Sequence, residues 1–442
     1  MKLSIPEPKI ELYKDGIFKP DTLNRKPMAT KLSNLVESID DPLVIALDGG
    51  WGSGKSVFLK CWVGEHLKTH PDQATTLYFD AYEHDYLDGP LIALTGALAD
   101  RLDEEETSPA LLAGLRKAAY KLLPMMARAG LAVVTAGSTK IADELTAALI
   151  NQSSENVEKA AEAYWKQEDG RRAAMEEFRV ALTALTKPNE KDEPQQKLVI
   201  VIDELDRCRP DYALQMLEVI KHFFATPGVH FVLGTNMQEL ANSVRATYGA
   251  GIDADRYLHK FVRVRMPMPA GSDRRPSHGY AVEHFGTIAE KLAIPQDAWR
   301  VFNSYLCALN QAIPLTLRDV EQLTTLIAVT PCQHFEDSPE YQIFAGLLII
   351  KVLKPAWIGL ARTNQLEYDN LDSMFRMQEL HGGNTLVPDP QMCWQACLNH
   401  LAIAGNQEVK TSLGDHFMNR TRKTIIPDLS TQSLDAFELP SD

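Results

Sequence analysis

The eight residues Gly49-Gly-Trp-Gly-Ser-Gly-Lys-Ser56 constrain the fold of this chain more than any other segment. They fit the pattern G-x-x-x-x-G-K-S/T over its whole length. A short apolar run, Leu43–Leu47, precedes them, and Val57–Leu67 follows with helical spacing. A buried strand before a glycine-rich turn and a helix after it form the context in which this pattern cradles phosphate groups. The segment therefore predicts a phosphate-binding loop in a parallel α/β sheet.

Each residue type in this loop has a physical reason. Glycines allow positive φ and bring backbone N–H groups against phosphate oxygens. The loop ends at a helix N-terminus, where unpaired N–H groups and the helix dipole favour anions. Lys55 is predicted to reach the β- and γ-phosphates of ATP, and the Ser56 hydroxyl to ligate Mg²⁺. The predicted nucleotide contacts are Gly49, Gly50, Trp51, Gly52, Ser53, Gly54, Lys55, Ser56 and Val57.

Two carboxylates follow the strongest strand signal of the chain. The apolar run Leu198–Ile202 ends directly before Asp203 and Glu204. Open α/β sheets bind ligands at the carboxyl ends of their strands, so we expect both carboxylates beside the phosphate loop. We predict that Asp203 holds Mg²⁺ and that Glu204 is the general base that activates the attacking water.

A polar residue also follows the next strand. The run Val229–Leu233 leads into Gly-Thr-Asn236. A polar side chain at that edge would lie between the acidic strand and the γ-phosphate. Asn236 is therefore predicted to position the water or to sense the γ-phosphate. The alternative is a helix cap, because a helical segment begins immediately afterwards.

The order of strand and helix signals predicts a three-layer α/β/α P-loop fold with a parallel sheet. Strand-like runs alternate with helical segments, which implies right-handed crossovers. After Pro269 the segments are helical to about Ala404, and a polar tail follows. The predicted units are the N-terminal part of the nucleotide-binding core (1–102), a helical insertion (103–197), the C-terminal part of that core (198–270), and a helical lid with a C-terminal module (271–442).

The net charge and the apolar segments indicate whether nucleic acid or a membrane is a partner of this chain. The net charge of −14 argues against a general nucleic-acid binder, which has a basic footprint. The N-terminus has no apolar segment of signal-peptide length, so a cytoplasmic protein is expected. Leu122–Gly137 and Ile343–Ile350 are apolar but fall short of the roughly 20 residues of a membrane span. For the hairpin around Leu122–Val134, structural packing and a membrane or partner contact both stay open.

Three longer blocks resemble one family of nucleotide-binding proteins. They are DAYEHDYLDGPLIAL, IDELDRCRPDYALQMLEVIKHFFATPGVHFVLGTN and GIDADRYLHKFVRVRMPMP, and the resemblance extends over residues 25–330. These blocks resemble the KAP family of P-loop NTPases. The resemblance implies an additional-strand, catalytic-glutamate ATPase core related to AAA+ proteins. It also implies a bacterial protein linked to mobile elements and to phage or plasmid exclusion.

The sequence departs from the family pattern at two places. Many members carry transmembrane helices between the two nucleotide motifs, whereas the insertion at 103–197 has no adequate span. Tyr82 stands where the family often has Trp just after the second strand. Integration into a membrane is therefore not expected, and peripheral association at the inner membrane stays open.

A cation near the transferred phosphoryl group would complete such a site, because it offsets developing negative charge. Arg318 is the first candidate, since it begins a helix of the C-terminal module and resembles the lid arginine of AAA+-like proteins. Arg256 is the second, acting on a neighbouring copy in a homo-oligomer. Further candidates are Arg207, Arg263 and Arg265.

The leading hypothesis is an ATPase whose nucleotide state switches the packing of the lid or the state of assembly. One alternative is a nucleotide-gated scaffold that recruits an unidentified protein and hardly hydrolyses, although such a scaffold has no need of Glu204. Another is a phosphotransferase, which would need an acceptor-binding motif that the sequence does not show. ATP is favoured over GTP because the sequence has no guanine-reading N-K-x-D segment.

Overall fold

The structure describes most of the chain outside residues 119–172. The predicted hairpin at Leu122–Val134 lies outside the described residues. The computed structural model describes residues 10–14, 25–71, 74–86, 89–104, 109–110, 112–118, 173–191, 193–268, 279–313, 315–330, 338–380, 389–398 and 422–434. The unit boundaries drawn from the sequence stay predictions.

A five-stranded parallel sheet lies at the centre of the fold. Its strands are β1 (Leu43–Asp48), β2 (Ala74–Asp80), β3 (Lys197–Asp203), β4 (Val229–Thr235) and β5 (Val264–Pro267). They lie side by side in the order β2-β3-β4-β1-β5, and every neighbouring pair is parallel. The additional strand β4 therefore separates the strand before the phosphate loop from the strand that carries the acidic pair.

Helices cover both faces of this sheet. They are α1 (Lys26–Glu37), α2 (Lys55–Thr69), α3 (Pro90–Glu104), α4 (Pro210–Phe223), α5 (Met237–Tyr248) and α6 (Ala254–Leu258). Residues 112–118 and 173–185 are also helical, and a 3₁₀ turn, Leu205–Arg207, follows β3.

The central strand β3 shows why the sheet needs a layer of helices on each face. All seven of its residues are buried. Leu198, Ile200 and Ile202 join the core that includes α3, α4 and α5, whereas Val199 and Val201 join the core that includes α1 and α2. Successive side chains of a strand point to opposite faces, so an uninterrupted apolar run requires burial on both. The predicted three-layer α/β/α fold is confirmed.

The C-terminal helices enclose a hydrophobic core of their own. They are α7 (Tyr280–Lys291), α8 (Gln296–Ala312), α9 (Leu317–Val329), α10 (Pro339–Leu353), α11 (Ala356–Arg362), α12 (Tyr368–Phe375), α13 (Pro390–Cys397) and α14 (Arg422–Asp428). The apolar stretch Ile343–Ile350 lies in α10, and every one of its residues is buried. Within the described part of the chain, no helix has both the length and the apolar character that crossing a bilayer requires.

The prediction of a polar tail after about Ala404 is wrong for residues 422–434. These residues form α14 and a short π-helical turn, Leu429–Ser433. Ile425 and Ile426 are buried in the C-terminal core, together with the first residue of that turn. These apolar residues recur within one helical turn and form a narrow apolar face. The mean composition of the tail is polar, so it does not indicate this face.

Candidate functional site

Three carboxylates lie in one row at the carboxyl edge of the sheet. Asp80, Asp203 and Asp48 end β2, β3 and β1. Asp80 lies opposite Asp203 in the strand register. On the intervening strand β4, Gly234 lies opposite Asp203 and Thr235 lies opposite Asp48. The phosphate loop begins directly after Asp48, so the loop and the carboxylates share the edge at which α/β folds bind ligands.

The phosphate loop turns at two glycines of positive φ and then enters α2. The φ angles are 77° at Gly52 and 83° at Gly54, in a region that glycine adopts without steric cost. Lys55 begins α2 and folds back over the loop. Its Nζ donates hydrogen bonds to the carbonyl oxygens of Gly49 at 2.5 Å and Gly50 at 3.1 Å. The ammonium group thus lies against the loop that is predicted to hold phosphate.

Most carbonyl oxygens of the loop accept hydrogen bonds from the protein itself. Their donors are Lys55 Nζ for Gly49 and Gly50, the Leu317 N–H for Gly52, Arg25 for Ser53, and the Phe58 N–H for Gly54. A peptide group whose carbonyl is held by the protein has its N–H directed the other way. This arrangement favours a concave surface of donors, which is the kind of site that binds anions.

Burial and the neighbouring carboxylates shift the pKa of Lys55 in opposite directions. Its side chain is buried, and burial lowers the pKa of Lys55 from its ordinary value. The carboxylates of Asp206, Asp203 and Asp48 oppose that shift. A polyphosphate in the loop would add negative charge and favour the ammonium form.

Asp203 is fully buried and accepts several hydrogen bonds. The Tyr78 hydroxyl donates to Oδ2 at 2.7 Å, and the Glu204 N–H donates to Oδ1 at 2.9 Å. The Ser56 hydroxyl also interacts with this carboxylate and lowers its pKa. Burial raises the pKa of Asp203, and these hydrogen bonds partly oppose the rise. Gly234 makes room for the carboxylate, because a Cβ there would clash with Oδ1.

The groups around Asp203 fit a hard divalent cation. Ser56 is the second residue of α2 and Asp203 ends β3, yet the Ser56 hydroxyl lies close enough to the Asp203 carboxylate to lower its pKa. Hydroxyl, carboxylate and water oxygens are the ligands that Mg²⁺ prefers. The two residues that the sequence assigns to Mg²⁺ therefore lie together. Because the Asp203 carboxylate is buried, its negative charge would be unfavourable without a cation beside it.

Glu204 leaves β3 in the left-handed conformation. Its φ of 58° and ψ of 26° cost about 1–2 kcal/mol for a residue with a Cβ atom. Strained backbone of this kind clusters at active sites. The carboxylate pairs with Arg207 at 2.8 Å, and the Glu204 side chain is 18% exposed. The predicted base is thus held by a cation while it keeps contact with solvent.

Replacing Arg207 by Ala is expected to move the acid limb of the pH–rate profile for ATP hydrolysis to higher pH. Burial raises the pKa of Glu204, and the guanidinium of Arg207 lowers it. A general base acts only when deprotonated, so hydrolysis declines as the pH falls through that pKa. Without the guanidinium the pKa of Glu204 rises further, and activity is lost at a higher pH. Phosphate release measured from acidic to alkaline pH tests this shift.

The charge-conserving variant Arg207→Lys is the control for this prediction. It keeps a cation beside Glu204, so its acid limb should stay close to that of the wild type. An acid limb that is unmoved in Arg207→Ala, or that moves to lower pH, would rule out Arg207 as the group that tunes Glu204.

Asn236 is the N-cap of α5. Its side-chain oxygen accepts a hydrogen bond from the Gln238 N–H at 3.1 Å, which is the alternative already recognised in the sequence. The cap lies at the end of β4, the strand between β1 and β3. The amide NH₂ group of the same side chain is a donor that the cap does not use. A contact between that group and the γ-phosphate stays a prediction.

Trp51 links the tip of the phosphate loop to the segment after β3. Its indole Nε1 donates to Asp206 Oδ2 at 2.6 Å, although the ring is 48% exposed. Asp206 lies in the 3₁₀ turn that follows Glu204. The sequence indicates Trp51 as a nucleotide contact but gives no sign of this partner, which is 155 residues away. One hydrogen bond therefore joins the loop to the turn that directly follows the predicted base, Glu204.

Asp48 fastens the end of β1 to its two neighbouring strands. Its Oδ1 accepts from the Met237 N–H at 2.9 Å, at the start of α5 and two residues after β4. Its Oδ2 accepts from Arg265 on β5, from Nε at 2.7 Å and from Nη2 at 2.5 Å. Arg265 was one of the further cation candidates. Its charge is instead used to position the strand end from which the phosphate loop departs.

The start of α9, in the predicted lid, touches the phosphate loop directly. The Leu317 N–H donates to the Gly52 carbonyl oxygen at 3.0 Å. A Cβ on Gly52 would lie 2.8 Å from Arg318 Cβ and 3.0 Å from Thr316 Oγ1. A capping box of Thr316 and Asp319 fixes this end of α9. Arg318 therefore lies beside the loop, with an exposed side chain.

Arg25 is a loop contact that the sequence analysis missed. It is buried at the start of α1 and donates to the Ser53 carbonyl at 3.3 Å and to the Met268 sulfur at 3.8 Å. It joins α1 to the phosphate loop and to the end of β5. Its only sequence signal is its place before Lys26-Pro27, a sequence typical of a helix start.

Three further candidates lie on exposed positions. Val57 is 42% exposed in the first turn of α2. Arg256 is exposed on α6, and Arg263 is exposed just before β5. A nucleotide contact for Val57 and an action of Arg256 on a neighbouring copy stay predictions.

The loop, the acidic strand end and the additional strand between them define the core of a P-loop NTPase. A family model described as the KAP family P-loop domain matches residues 25–331. The chain therefore belongs to the KAP family of P-loop NTPases, and the resemblance noted in the sequence is confirmed.

Solved structures are similar to this chain at low sequence identity. The ORC2 protein of Aeropyrum pernix, solved in ADPNP–ADP complexes, is 9% identical with a TM-score of 0.34, and the match covers 91% of this chain and 86% of that chain. The Drosophila ORC bound to DNA is 12% identical with a TM-score of 0.36, and the match covers 92% and 98%. No curated protein matches the sequence.

Proposed function

We propose that this protein is an ATPase whose C-terminal lid responds to the nucleotide held in the phosphate loop. The observation that carries the proposal is the hydrogen bond from the Leu317 N–H to the Gly52 carbonyl. It joins the first residue of α9 to the middle of the loop. A shift of the loop backbone on binding phosphate would therefore act on the lid without any intervening side chain.

The proposed division of labour follows the positions of the side chains. Lys55 and the loop N–H groups hold the β- and γ-phosphates. Ser56 and Asp203 would hold Mg²⁺, which when bound offsets negative charge on the phosphate oxygens. Glu204 accepts the proton of the attacking water, a role that its partial exposure supports because water reaches the carboxylate.

Asn236 is proposed to combine its capping role with sensing of the γ-phosphate. The cap holds the side-chain oxygen on the Gln238 N–H and so restrains the rotation of the amide. The NH₂ group is then the donor available to a phosphate oxygen. A restrained donor is more selective than a free one, because it can be satisfied only by a phosphate at one position.

Arg318 is the arginine that the structure favours as the cation for the transferred phosphoryl group. The charges of Arg207 and Arg265 are already paired, with Glu204 and Asp48. Among the described residues, no carboxylate pairs with Arg318. Its backbone is fixed against Gly52, so its guanidinium needs only side-chain rotation to approach the loop.

The test of this proposal measures ATP turnover and the hydrogen exchange of the predicted lid in the wild-type protein. Phosphate release should depend on both ATP and Mg²⁺. Hydrogen exchange of residues 315–330 should differ between the ATP-bound and ADP-bound states, because the loop that contacts α9 differs in phosphate occupancy. Residues 339–353 of α10, buried in the C-terminal core, serve as the internal control and should exchange equally in both states.

Two outcomes would contradict the proposal. Tight ATP binding without phosphate release would instead support the nucleotide-gated scaffold. Phosphate release with equal exchange of residues 315–330 in both states would retain the ATPase and remove the lid response. A setting in phage or plasmid exclusion stays an implication of the family, and no residue described here carries it.

A further inference from the structure

A second cluster of polar side chains lies where α1 and α2 end, on the far side of α2 from the phosphate loop. It consists of Glu37, His66 and His70, and one ligand atom of each lies within 4.8 Å of the other two. Glu37 is the last residue of α1. His66 lies in the last turn of α2, and His70, four residues further on, is the C-cap that directly follows the helix. Two histidines at positions i and i+4 of a helix present a pair of nitrogens on one face, a spacing that binds Zn²⁺.

His66 has an unsatisfied nitrogen that faces this cluster. Its side chain is fully buried, and its Nε2 lies 3.1 Å from Glu37 Oε1. The contact does not have the geometry of a hydrogen bond, and neither atom has a hydrogen-bond partner among the described residues. Buried polar atoms are almost always satisfied, so a proton or a cation is expected between these two.

The opposite side of the His66 ring is held by two neighbours. Nδ1 lies 3.0 Å from Ser33 Oγ, which also accepts a hydrogen bond from Trp62 Nε1 at 3.0 Å. The Trp62 ring stacks on His66 with 5.0 Å between the ring centroids. When Nδ1 carries the proton and donates to Ser33, Nε2 keeps its lone pair and directs it at Glu37. Metal-bound histidines are oriented in the same way by a hydrogen bond at the second ring nitrogen.

His70 completes the set on the more open side. Its Nδ1 lies 2.9 Å from Thr69 Oγ1, so Nε2 is the nitrogen left for a ligand. His70 is half-buried, and the Glu37 side chain is 17% exposed. The cluster is therefore open to solvent on one side, where a water molecule has access.

Two basic residues near the end of α1, His230 and Lys197, do not supply a positive charge to Glu37. His230 on β4 is close enough to act on it electrostatically, but burial lowers the pKa of His230 to about 4 and the charge of Lys197 lowers it too. That imidazole is uncharged at neutral pH. Lys197 itself pairs with Asp40. A positive charge on protonated His66, or a bound cation, would therefore stabilise this carboxylate.

We propose that Glu37, His66 and His70 bind a divalent transition-metal ion of the Zn²⁺ class, with water as the fourth ligand. Two imidazoles and a carboxylate with one open position are an established ligand set for Zn²⁺. The ion joins the end of α1 to the end of α2. At their other ends, Arg25 contacts Ser53 and α2 begins at Lys55, so the ion stabilises the two helices that carry the phosphate loop.

The test is a Zn²⁺ titration of the metal-free full-length protein by calorimetry, with thermal unfolding measured in parallel. The wild type should bind one equivalent and unfold at a higher temperature when Zn²⁺ is present. The variants His70→Ala and Glu37→Gln should each bind at least about tenfold more weakly and lose most of that rise. The control His259→Ala removes an exposed histidine after α6 and should bind Zn²⁺ as the wild type does.

Two checks keep this test decisive. Unfolding of each variant in EDTA shows that it folds without metal, which is expected because neither replaced side chain is fully buried. Absorption of the Co²⁺ form should show tetrahedral bands without thiolate charge transfer. The proposal is overturned if the wild type takes up no Zn²⁺, if His70→Ala and Glu37→Gln bind as tightly as the wild type, or if Co²⁺ reports cysteine ligands. In the first case, the His66–Glu37 contact is an ion pair completed by a proton.

Discussion

The Glu204→Gln variant is expected to bind ATP as tightly as the wild type and to hydrolyse it about 10²–10⁴-fold more slowly. Glutamine keeps the size of the side chain and a carbonyl oxygen that can accept a hydrogen bond from Arg207, although the ion pair with Arg207 is lost. It cannot accept the proton of the attacking water, because its amide is not a base at neutral pH. ATP titration gives the affinity, and single-turnover phosphate release gives the rate of the chemical step.

Two companion variants make this result specific. Lys55→Ala removes the ammonium group from the loop and should lose ATP binding, which separates a failure to bind from a failure to react. Glu290→Gln removes the same negative charge from an exposed position on α7 and should change neither quantity. Normal turnover in Glu204→Gln would remove Glu204 from the role of base. Weak ATP binding in that variant would instead show that Glu204 contributes to binding ATP before the chemical step.

The features that could be read from the sequence are those that depend on local patterns. Leu198–Ile202 is an apolar run whose length and β-branched residues are typical of a strand buried on both faces, and carboxylates directly after such a strand lie at the carboxyl edge. The glycines and lysine of the loop are consecutive, so their chemistry needs no knowledge of the rest of the fold. The position of β4 between β1 and β3 followed from the resemblance to the KAP family.

The features that could not be read from the sequence depend on contacts between distant segments. Tyr78 lies in an apolar run and looks like a core residue, yet its hydroxyl donates to Asp203 from 125 residues away. The contact of Leu317 with Gly52 joins two segments that have no shared pattern. Propensity and periodicity describe neighbours along the chain, and they carry no information on which backbone group meets which.

The phosphate loop combines both kinds of information. Its sequence predicts a loop that binds anions. The segments that contact the loop determine which parts of the protein would shift when an anion binds. Arg25 contacts it from α1, Asp206 from the turn after β3, and Leu317 from α9. These three contacts reach the proposed metal-linked helices, the predicted base and the lid. A change in the loop backbone would therefore act on all three elements at once.

Replacing Gly234 by Ala is expected to destabilise the protein by about 3 kcal/mol and to raise the Mg²⁺ concentration that hydrolysis requires. A Cβ at this position would collide with Asp203 Oδ1 on one side and with Leu59 Cδ1 on the other. Both neighbours are buried, so neither can move away freely. Displacing the carboxylate separates it from Ser56, the other predicted ligand of Mg²⁺. Thermal unfolding without nucleotide measures the first effect, and phosphate release against Mg²⁺ concentration measures the second.

The control is Gly96→Ala, in the interior of α3, where no described atom lies within 4 Å of the added Cβ. Alanine favours a helix over glycine by up to about 1 kcal/mol, so this variant should be as stable as the wild type or more stable. If Gly234→Ala unfolds at the same temperature as Gly96→Ala, the Asp203 carboxylate can move away from the added Cβ without loss of stability. If it is destabilised but needs no more Mg²⁺ than the wild type, Asp203 packs beside Ser56 without serving the cation. The role of Asp203 thus depends on the second measurement, because the steric effect alone cannot distinguish a buried ligand from a buried structural carboxylate.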